Sequence, residues 1–290
     1  MRNTKNGYDN MSPDGVVGFI EEGHKYELLK DKDYKFNSVT TLIHEYAEPF
    51  DAIAISERCS RDHKSEYFRM DPVDIRKQWE EASKSGTSLH EYGEDLLNYV
   101  DTLMSSEDNL LLPAPPDNPK ARFVPEIVEN LKASGYKLAL TELLVYDLSL
   151  DLAGQSDILL KKEVDEKTNF MIYDWKFLKK PIQKKSFYNR RTGYKKMTGP
   201  FKHLLDCNWI HYSIQLSIYQ TLTGDPSAIK EKVLVVVNDD KWEFVPCHPM
   251  RVFWDTNKQL QCVHETWNGR WYDSRTDRIS KYKPRDIVGL

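Results

Sequence analysis

The residues with the clearest chemical potential are two aspartates and a lysine in the middle of the chain. Asp174 and Lys176 stand in the segment Tyr173-Asp174-Trp175-Lys176, and Asp157 precedes them in Gly154-Gln155-Ser156-Asp157. Residues two apart on a strand project from the same face, so Asp174 and Lys176 should lie side by side. With Asp157 on the neighbouring strand of a hairpin, both carboxylates could bind one Mg²⁺ or Mn²⁺ ion, which prefer oxygen ligands. Such a site suits phosphodiester hydrolysis, in which the lysine would act on the attacking water.

Two further residues are candidates for the same site. Glu142 lies within the apolar stretch Thr141-Glu142-Leu143-Leu144-Val145, where burying an unpaired carboxylate would be costly. It is therefore either a further group of the site or an outward-facing residue of an edge strand. His90 shares a helix face with Glu94, one turn later. It is either a ligand or an ordinary helical histidine, and the sequence leaves both alternatives open.

A strongly basic segment follows the Asp174-Trp175-Lys176 motif. Between Lys176 and His203 there is no acidic residue, while aromatic residues alternate with the charges. That mixture is typical of a groove that follows a phosphate backbone and stacks bases, although a solvated loop would have a similar composition. The candidate nucleic-acid-binding residues here are Lys179, Lys180, Lys184, Lys185, Arg190, Arg191, Tyr194, Lys195 and Lys196.

Composition excludes several classes of protein. No apolar run reaches the length of a membrane span, and the polar first 15 residues lack the apolar core of a signal peptide. We therefore expect an intracellular, cytoplasmic protein without a membrane partner. The four cysteines form no C-x-x-C motif, so we expect no iron–sulfur cluster. No phosphate-binding G-x-x-x-x-G-K-[ST] loop occurs, so we expect no nucleotide cofactor.

The elements that must position these residues follow from hydrophobic periodicity and turn signals. Helices are predicted at 38–43, 50–59, 71–85, 87–103, 120–134, 208–222 and 252–266. Strands are predicted at 17–20, 24–29, 137–146, 152–161, 169–177, 232–237 and 242–245. Gly86 is expected to end one helix and Thr87 or Ser88 to cap the next.

This order of elements predicts an α/β fold with a mixed central β-sheet flanked by helices. Residues 1–85 are expected to form a mostly helical elaboration packed on the core. The core itself should span 86–250, and 251–290 should form a C-terminal helix and tail. We expect the three parts to make one compact unit.

Four short motifs, in order along the chain, resemble the PD-(D/E)XK nuclease superfamily. Asp157 followed by Asp174-Trp175-Lys176 resembles its defining signature. Gly86-Thr87-Ser88-Leu89-His90 and Gln215-Leu216-Ser217-Ile218-Tyr219 are similar to the G-x-x-x-H and Q-x-x-x-Y motifs of its RecB-like branch. Ser38-Val39-Thr40-Thr41 and Trp79 are similar to the mitochondrial genome maintenance exonuclease family and related phage nucleases. The similarity covers about residues 38–222, and Ser156 replaces the proline of the signature.

The resemblance implies a restriction-endonuclease-like core and a role for each motif residue. His90, Asp157, Asp174 and the backbone carbonyl of Trp175 would bind one or two Mg²⁺ or Mn²⁺ ions, and Lys176 would act on water. Gln215 and Tyr219 would position the nucleic acid or the lysine.

The implied function is a metal-dependent deoxyribonuclease, more specifically an exonuclease on single-stranded or flapped DNA ends. A replication or recombination protein is the expected protein partner. The alternatives are a structure-selective endonuclease, a non-catalytic nucleic-acid-binding module and a phosphoesterase for small substrates.

Overall fold

A computed structural model describes residues 7–103, 111–133, 135–164, 166–264, 271–273 and 278–280. Its helices are α1 (Val39–His44), α2 (Ala52–Arg61), α3 (Pro72–Leu103), α4 (Val124–Ala133) and α5 (Asn208–Leu222). The first strands are β1 (Asn10–Met11), β2 (Val17–Ile20), β3 (Lys25–Leu28), β4 (Asn37–Ser38), β5 (Lys137–Asp147), β6 (Leu152–Val164) and β7 (Lys167–Phe177). They are followed by β8 (Tyr188–Asn189), β9 (Gly193–Tyr194), β10 (Ile229–Val237), β11 (Trp242–Pro246), β12 (Met250–Trp254), β13 (Leu260–His264), β14 (Trp271–Asp273) and β15 (Arg278–Ser280).

The central sheet is mixed and has six strands. Strands β5, β6 and β7 form an antiparallel meander, β10 runs parallel to β7, and β11 pairs antiparallel with β10. The short β4 adds in parallel to β6. The predicted α/β class with a mixed central sheet flanked by helices is therefore confirmed.

The two faces of the sheet carry separate apolar layers because successive strand residues point to opposite sides. Trp175 and Val235 pack with residues of α3 and α4 on one face. Ile172 and Leu234 pack with residues of α1 and α5 on the other. Helix α5 packs against the sheet through Ile210, Ile214 and Ile218, which are spaced four residues apart and have 0% exposure.

Strands β6 and β7 separate at Asp157 and Asp174. Their pairing starts beside the hairpin turn and ends at Ile158 opposite Tyr173. Beyond that pair, β6 turns to β4, whereas β7 continues alongside β10 to Phe177. Asp157 and Asp174 are the first residues past the last pair, so the sheet opens into a fork at the two carboxylates.

Helix α3 is one continuous element, so the predicted break at Gly86 is wrong. Gly86 does not adopt the left-handed conformation that ends a helix, unlike seven other glycines of the described residues. The hydroxyls of Thr87 and Ser88 bond back to the carbonyls of Ser83 and Lys84 instead of capping a new helix. The predicted domain boundary at 85/86 consequently falls inside α3.

The N-terminal region is less helical than the sequence predicts. Strands β1, β2 and β3 form a small antiparallel sheet, with β2 and β3 at the predicted hairpin. Its apolar residues Val17, Phe19 and Tyr26 pack on Leu144 of β5 and Ala153 of β6. Ser38 caps α1 by accepting a hydrogen bond from the Thr41 N–H.

The predicted C-terminal helix is also wrong. Strands β12 and β13 form an antiparallel hairpin from Met250 opposite His264 to Trp254 opposite Leu260. Met250 and Val252 are buried and Arg251 between them is exposed, which is the two-residue period of a strand. The last two residues of the predicted helix, Glu265 and Thr266, lie outside the described residues.

Candidate functional site

The fork between β6 and β7 brings Asp157, Asp174 and Lys176 together. One oxygen of Asp157, Oδ2, accepts the Trp175 backbone N–H at 2.7 Å, a bond that replaces the missing strand pairing. Asp174 and Lys176 share a face of β7, and Lys176 Nζ forms an ion pair with Asp174 Oδ2. Lys176 Nζ also lies 4.6 Å from the ring centroid of Tyr212 on α5, a cation–π contact.

His90 reaches the same cluster from α3. Its Nδ1 lies 3.2 Å from Asp157 Oδ2, and its ring packs edge-on against Phe177 at 5.3 Å between centroids. Gly86, one turn earlier, faces the same space, and a methyl group there would meet nothing within 4 Å. The glycine of the G-x-x-x-H motif therefore leaves room beside the histidine instead of ending a helix.

These residues line one cavity of about 350 Å³. The cavity is bordered by residues of α1, α3, α5, β5, β6 and β7 and by the small N-terminal sheet. Its lining comprises Ser83, Gly86, Thr87, His90, Glu142, Gln155, Asp157, Asp174, Lys176, Gln215, Tyr219, Thr40, Phe19, Glu21, His24 and Tyr26. All the carboxylate, histidine, lysine, glutamine and tyrosine side chains named from the four motifs are thus in one place.

Glu142 reaches the cavity through an irregular backbone. It has a φ of 53° within β5, a left-handed conformation that costs energy for a residue with a side chain. Its carbonyl accepts a hydrogen bond from Asn10 Nδ2 at 2.5 Å, which ties β5 to the small sheet. Glu142 is half-buried and lines the cavity beside Asp157.

The charged groups of the cluster shift one another's pKa values. Burial, followed by the nearby Asp157 carboxylate, raises the pKa of Asp174 to about 6. Burial also acts to raise the pKa of Asp157, but His90 and Lys176 outweigh it, and the net effect is a lowered pKa. Burial acts to lower the pKa of Lys176, but Asp174 and Asp157 raise it above its usual range. The site therefore holds a protonated ammonium beside carboxylates that repel each other.

Helix α5 supplies the far wall of the cavity. Gln215 Nε2 donates to the Tyr219 hydroxyl at 2.8 Å, so the two residues of the Q-x-x-x-Y motif orient each other. Tyr219 is buried, and its ring lies against Gly154 of β6, where a side chain would also crowd Val39. Gly154 thus permits the close approach that fixes the tyrosine.

The basic segment lies outside the cavity lining, with the exception of Lys176. Several of its lysines are paired with acids from other parts of the chain. Lys179 and Lys180 bind Glu66, and Lys195 binds both Glu48 and Asp206. Lys184 lies over the Trp209 ring at 5.1 Å, whereas Tyr194 packs against Tyr188. No ion pair involves Lys185, Arg190, Arg191 or Lys196 within the part of the chain that the structure covers.

Several lining residues were not assigned a role from the sequence. Gln155 stands two residues before Asp157, and its buried Oε1 has no hydrogen-bond partner among the described residues. Phe19, Glu21, His24 and Tyr26 come from a hairpin far away in sequence. The two strands predicted at 17–20 and 24–29 indicate a hairpin, but nothing in the local sequence indicates where it packs.

The residues that line the cavity carry the types of donor atom that divalent cations bind. They include Asp157, Asp174 and Glu142 with carboxylate oxygens, Gln155 with an amide oxygen and His90 with ring nitrogens. His90 and Lys176 pair with the two aspartates in the geometry seen here. Among the described residues, no three or more His, Cys, Asp or Glu side chains are arranged to hold a metal ion.

Comparison with protein-family models and with curated proteins finds no match to this chain. Over the described residues, no helix is long and apolar enough to cross a membrane.

Proposed function

We propose that this chain is a metal-dependent deoxyribonuclease with a restriction-endonuclease-like core. One observation carries the proposal: His90, Asp157, Asp174 and Lys176, which come from three separate elements, converge at a fork in the sheet and line one cavity. The mixed order of β5, β6, β7 and β10 with flanking helices supports the core assignment. The resemblance of the four motifs to RecB-like nucleases supports the activity.

The metal would be held by the side chains of Asp157, Asp174 and His90, with the Trp175 carbonyl as the further expected ligand. Gln155, whose buried Oε1 has no hydrogen-bond partner among the described residues, and Glu142 also line the cavity and carry further oxygen donors. When bound, Mg²⁺ or Mn²⁺ supplies positive charge to the phosphoryl oxygens. Its charge would also oppose the effects of burial and of the Asp157 carboxylate, which together raise the pKa of Asp174.

Side chains around the metal site would position the attacking water, the metal ligands and the nucleic acid. Lys176 is held between Asp174 and the Tyr212 ring, so its ammonium can donate a hydrogen bond to the attacking water or to a phosphoryl oxygen. Phe177 fixes the His90 ring, and the Trp175 N–H fixes Asp157. Gln215, oriented by Tyr219, faces the cavity and can donate to the nucleic-acid backbone.

We further propose that the enzyme is an exonuclease acting on single-stranded or flapped DNA ends, in the cytoplasm and together with replication or recombination proteins. This part rests on the resemblance to RecB-like exonucleases.

The decisive test compares wild type with Asp174→Asn on end-labelled single-stranded DNA in Mg²⁺ or Mn²⁺. Asp240→Asn, an exposed aspartate away from the cavity, is the matched control. We expect hydrolysis by wild type and the control and none by Asp174→Asn. Laddering from a free end, with closed circular strands left intact, supports an exonuclease. Cleavage of the circles would favour a structure-selective endonuclease, and equal inertness of all three proteins with retained DNA binding would favour a binding module.

A further inference from the structure

A second cavity, of about 400 Å³, adjoins the candidate active site. It lies between the β2–β3 hairpin and the segment 32–41 that leads into α1. The two cavities share His24 and Tyr26 in their linings, so the hairpin forms the wall between them. A chain molecule that leaves the first cavity past His24 would enter the second.

The second cavity is basic, although the sequence around it is not conspicuously so. Lys25, Lys32 and Lys35 all line it and all are exposed. None of the three forms an ion pair with any residue that the structure describes. Glu27 is the one acid in the lining, and it accepts a hydrogen bond from the Tyr8 hydroxyl. Three ammonium groups thus remain available to an anion here, unlike Lys179, Lys180 and Lys195 of the basic segment.

Aromatic rings line the same cavity. Tyr34 and Phe36 pack edge-to-face at 4.9 Å, and both are half-buried, so each presents part of its ring. His24 stands at the shared wall with a φ of 50°, held edge-on against Phe19 at 4.9 Å. Exposed lysines combined with aromatic rings are the usual means of binding a single strand, by phosphate contacts and base stacking.

We propose that the second cavity binds the phosphates and bases of a single nucleic-acid strand whose scissile phosphate lies in the first cavity. The inference rests on the proposed nuclease function and names the strand path of that same site. Lys32 and Lys35 would contact phosphates, while Tyr34, Phe36 and His24 would offer faces to the bases. The β2–β3 hairpin would then separate the nucleotide being cleaved from those that hold the strand.

Binding without hydrolysis tests the inference. The probe is a fluorescein-labelled single-stranded DNA 15-mer, followed by anisotropy over a range of salt concentrations, in an Asp174→Asn background. The variant is Lys32→Gln with Lys35→Gln. The control is Lys161→Gln with Lys167→Gln, which removes the same charge from exposed sites on the β6–β7 hairpin, away from the fork. Lys32→Arg with Lys35→Arg tests whether charge alone is needed.

We expect the glutamine variant to bind the DNA at least about tenfold more weakly than its parent. The plot of log affinity against log salt concentration should become shallower by about 1.4, because two phosphate contacts on a single strand are lost. The control and the arginine variant should keep the slope of the Asp174→Asn parent. Equal slopes for the glutamine variant and the control, or no binding by the parent protein, would overturn the inference. Failure of the nuclease proposal shows itself separately, as equal hydrolysis by wild type and Asp174→Asn.

Discussion

The ion pair of Lys176 with Asp174 is buried, and both groups are needed in a charged state for the proposed chemistry. We expect Lys176→Gln to lower the single-turnover rate of DNA hydrolysis by about 10²- to 10⁴-fold, the usual contribution of a positioned proton donor or acceptor. Mn²⁺ binding, measured by calorimetry, should be retained because the carboxylates remain. Lys161→Gln, on the exposed part of β6, is the control and should keep the wild-type rate.

Lys176→Gln should also change how the stability of the protein depends on pH, because the Lys176 ammonium lowers the pKa of Asp174. Without the ammonium, burial and Asp157 should raise the pKa of Asp174 further above 6. A folded-state pKa above the unfolded value contributes stability that is lost as the pH rises through the folded pKa. Compared with wild type, Lys176→Gln should therefore lose stability, measured by urea unfolding, between pH 6 and pH 8. A variant that keeps wild-type activity within fivefold, or that loses Mn²⁺ binding, would contradict the assigned position of Lys176.

The sequence alone identifies four residues that the structure brings together in the cavity, but it does not identify Gln155, which lines the same cavity. Asp157, Asp174, Lys176 and His90 carry recognisable spacing, because each lies at a fixed offset within a strand or helix. Gln155 has no such pattern, since its inclusion depends on the place where β6 leaves β7.

Helix α3 contains two glycines whose surroundings differ completely. Gly86 faces the cavity, and an added methyl group would meet nothing within 4 Å. Gly93 lies against Trp175, whose ring atoms would be 3.0–3.2 Å from an added methyl group. Trp175 is buried and stacked on Phe177, so it has little room to move.

We expect the same substitution to have opposite effects at these two positions. Gly86→Ala should raise the free energy of unfolding by about 1 kcal/mol, since alanine favours a helix interior. Gly93→Ala should lower it by about 1–3 kcal/mol, because the added methyl group overpacks the core. Urea denaturation of both variants against wild type is the measurement. Destabilisation by Gly86→Ala would favour the predicted break in the helix over the continuous α3.

The helix also shows why local signals mislead here. Gly86-Thr87-Ser88 has the composition of a helix end followed by a cap, and the sequence prediction follows that signal. The tertiary structure overrides it, because Ser83, Gly86, Thr87 and His90 form one helix face along the cavity. Gly86 leaves open space beside His90, and the sequence near Gly86 gives no sign of that space.

Over the whole molecule, the central sheet was predictable and the docking of distant parts was not. Strands β5, β6, β7 and β10 have apolar patterns of the right length, and their order determines the sheet. The place of the β1–β3 sheet depends on contacts of Phe19 and Tyr26 with Leu144 and Ala153, which are more than a hundred residues away. Likewise, the acid-free run of the basic segment is neutralised in part by Glu48 and Glu66, which the local sequence does not reveal.

Three histidines join the C-terminal hairpin to the rest of the fold. His248 Nε2 lies 3.0 Å from His264 Nδ1, and the His203 and His264 rings are 4.8 Å apart. Burial lowers the pKa of all three, and for His203 burial followed by repulsion from His264 lowers the pKa to about 4. Folding therefore favours the neutral form of each of these side chains.

The stability of the whole fold should consequently fall on mild acidification. A histidine whose pKa is lowered by folding contributes stability that is complete above its unfolded pKa of about 6.5 and is lost as the pH falls towards the folded pKa. For His203 alone, the loss between pH 7.5 and pH 5.0 should be about 1–2 kcal/mol in urea unfolding, and His203→Gln should remove that part of the pH dependence. His63→Gln, at an exposed position, is the control and should follow wild type. If His203→Gln loses as much stability as wild type over this range, the histidine contacts do not control the acid sensitivity of the fold.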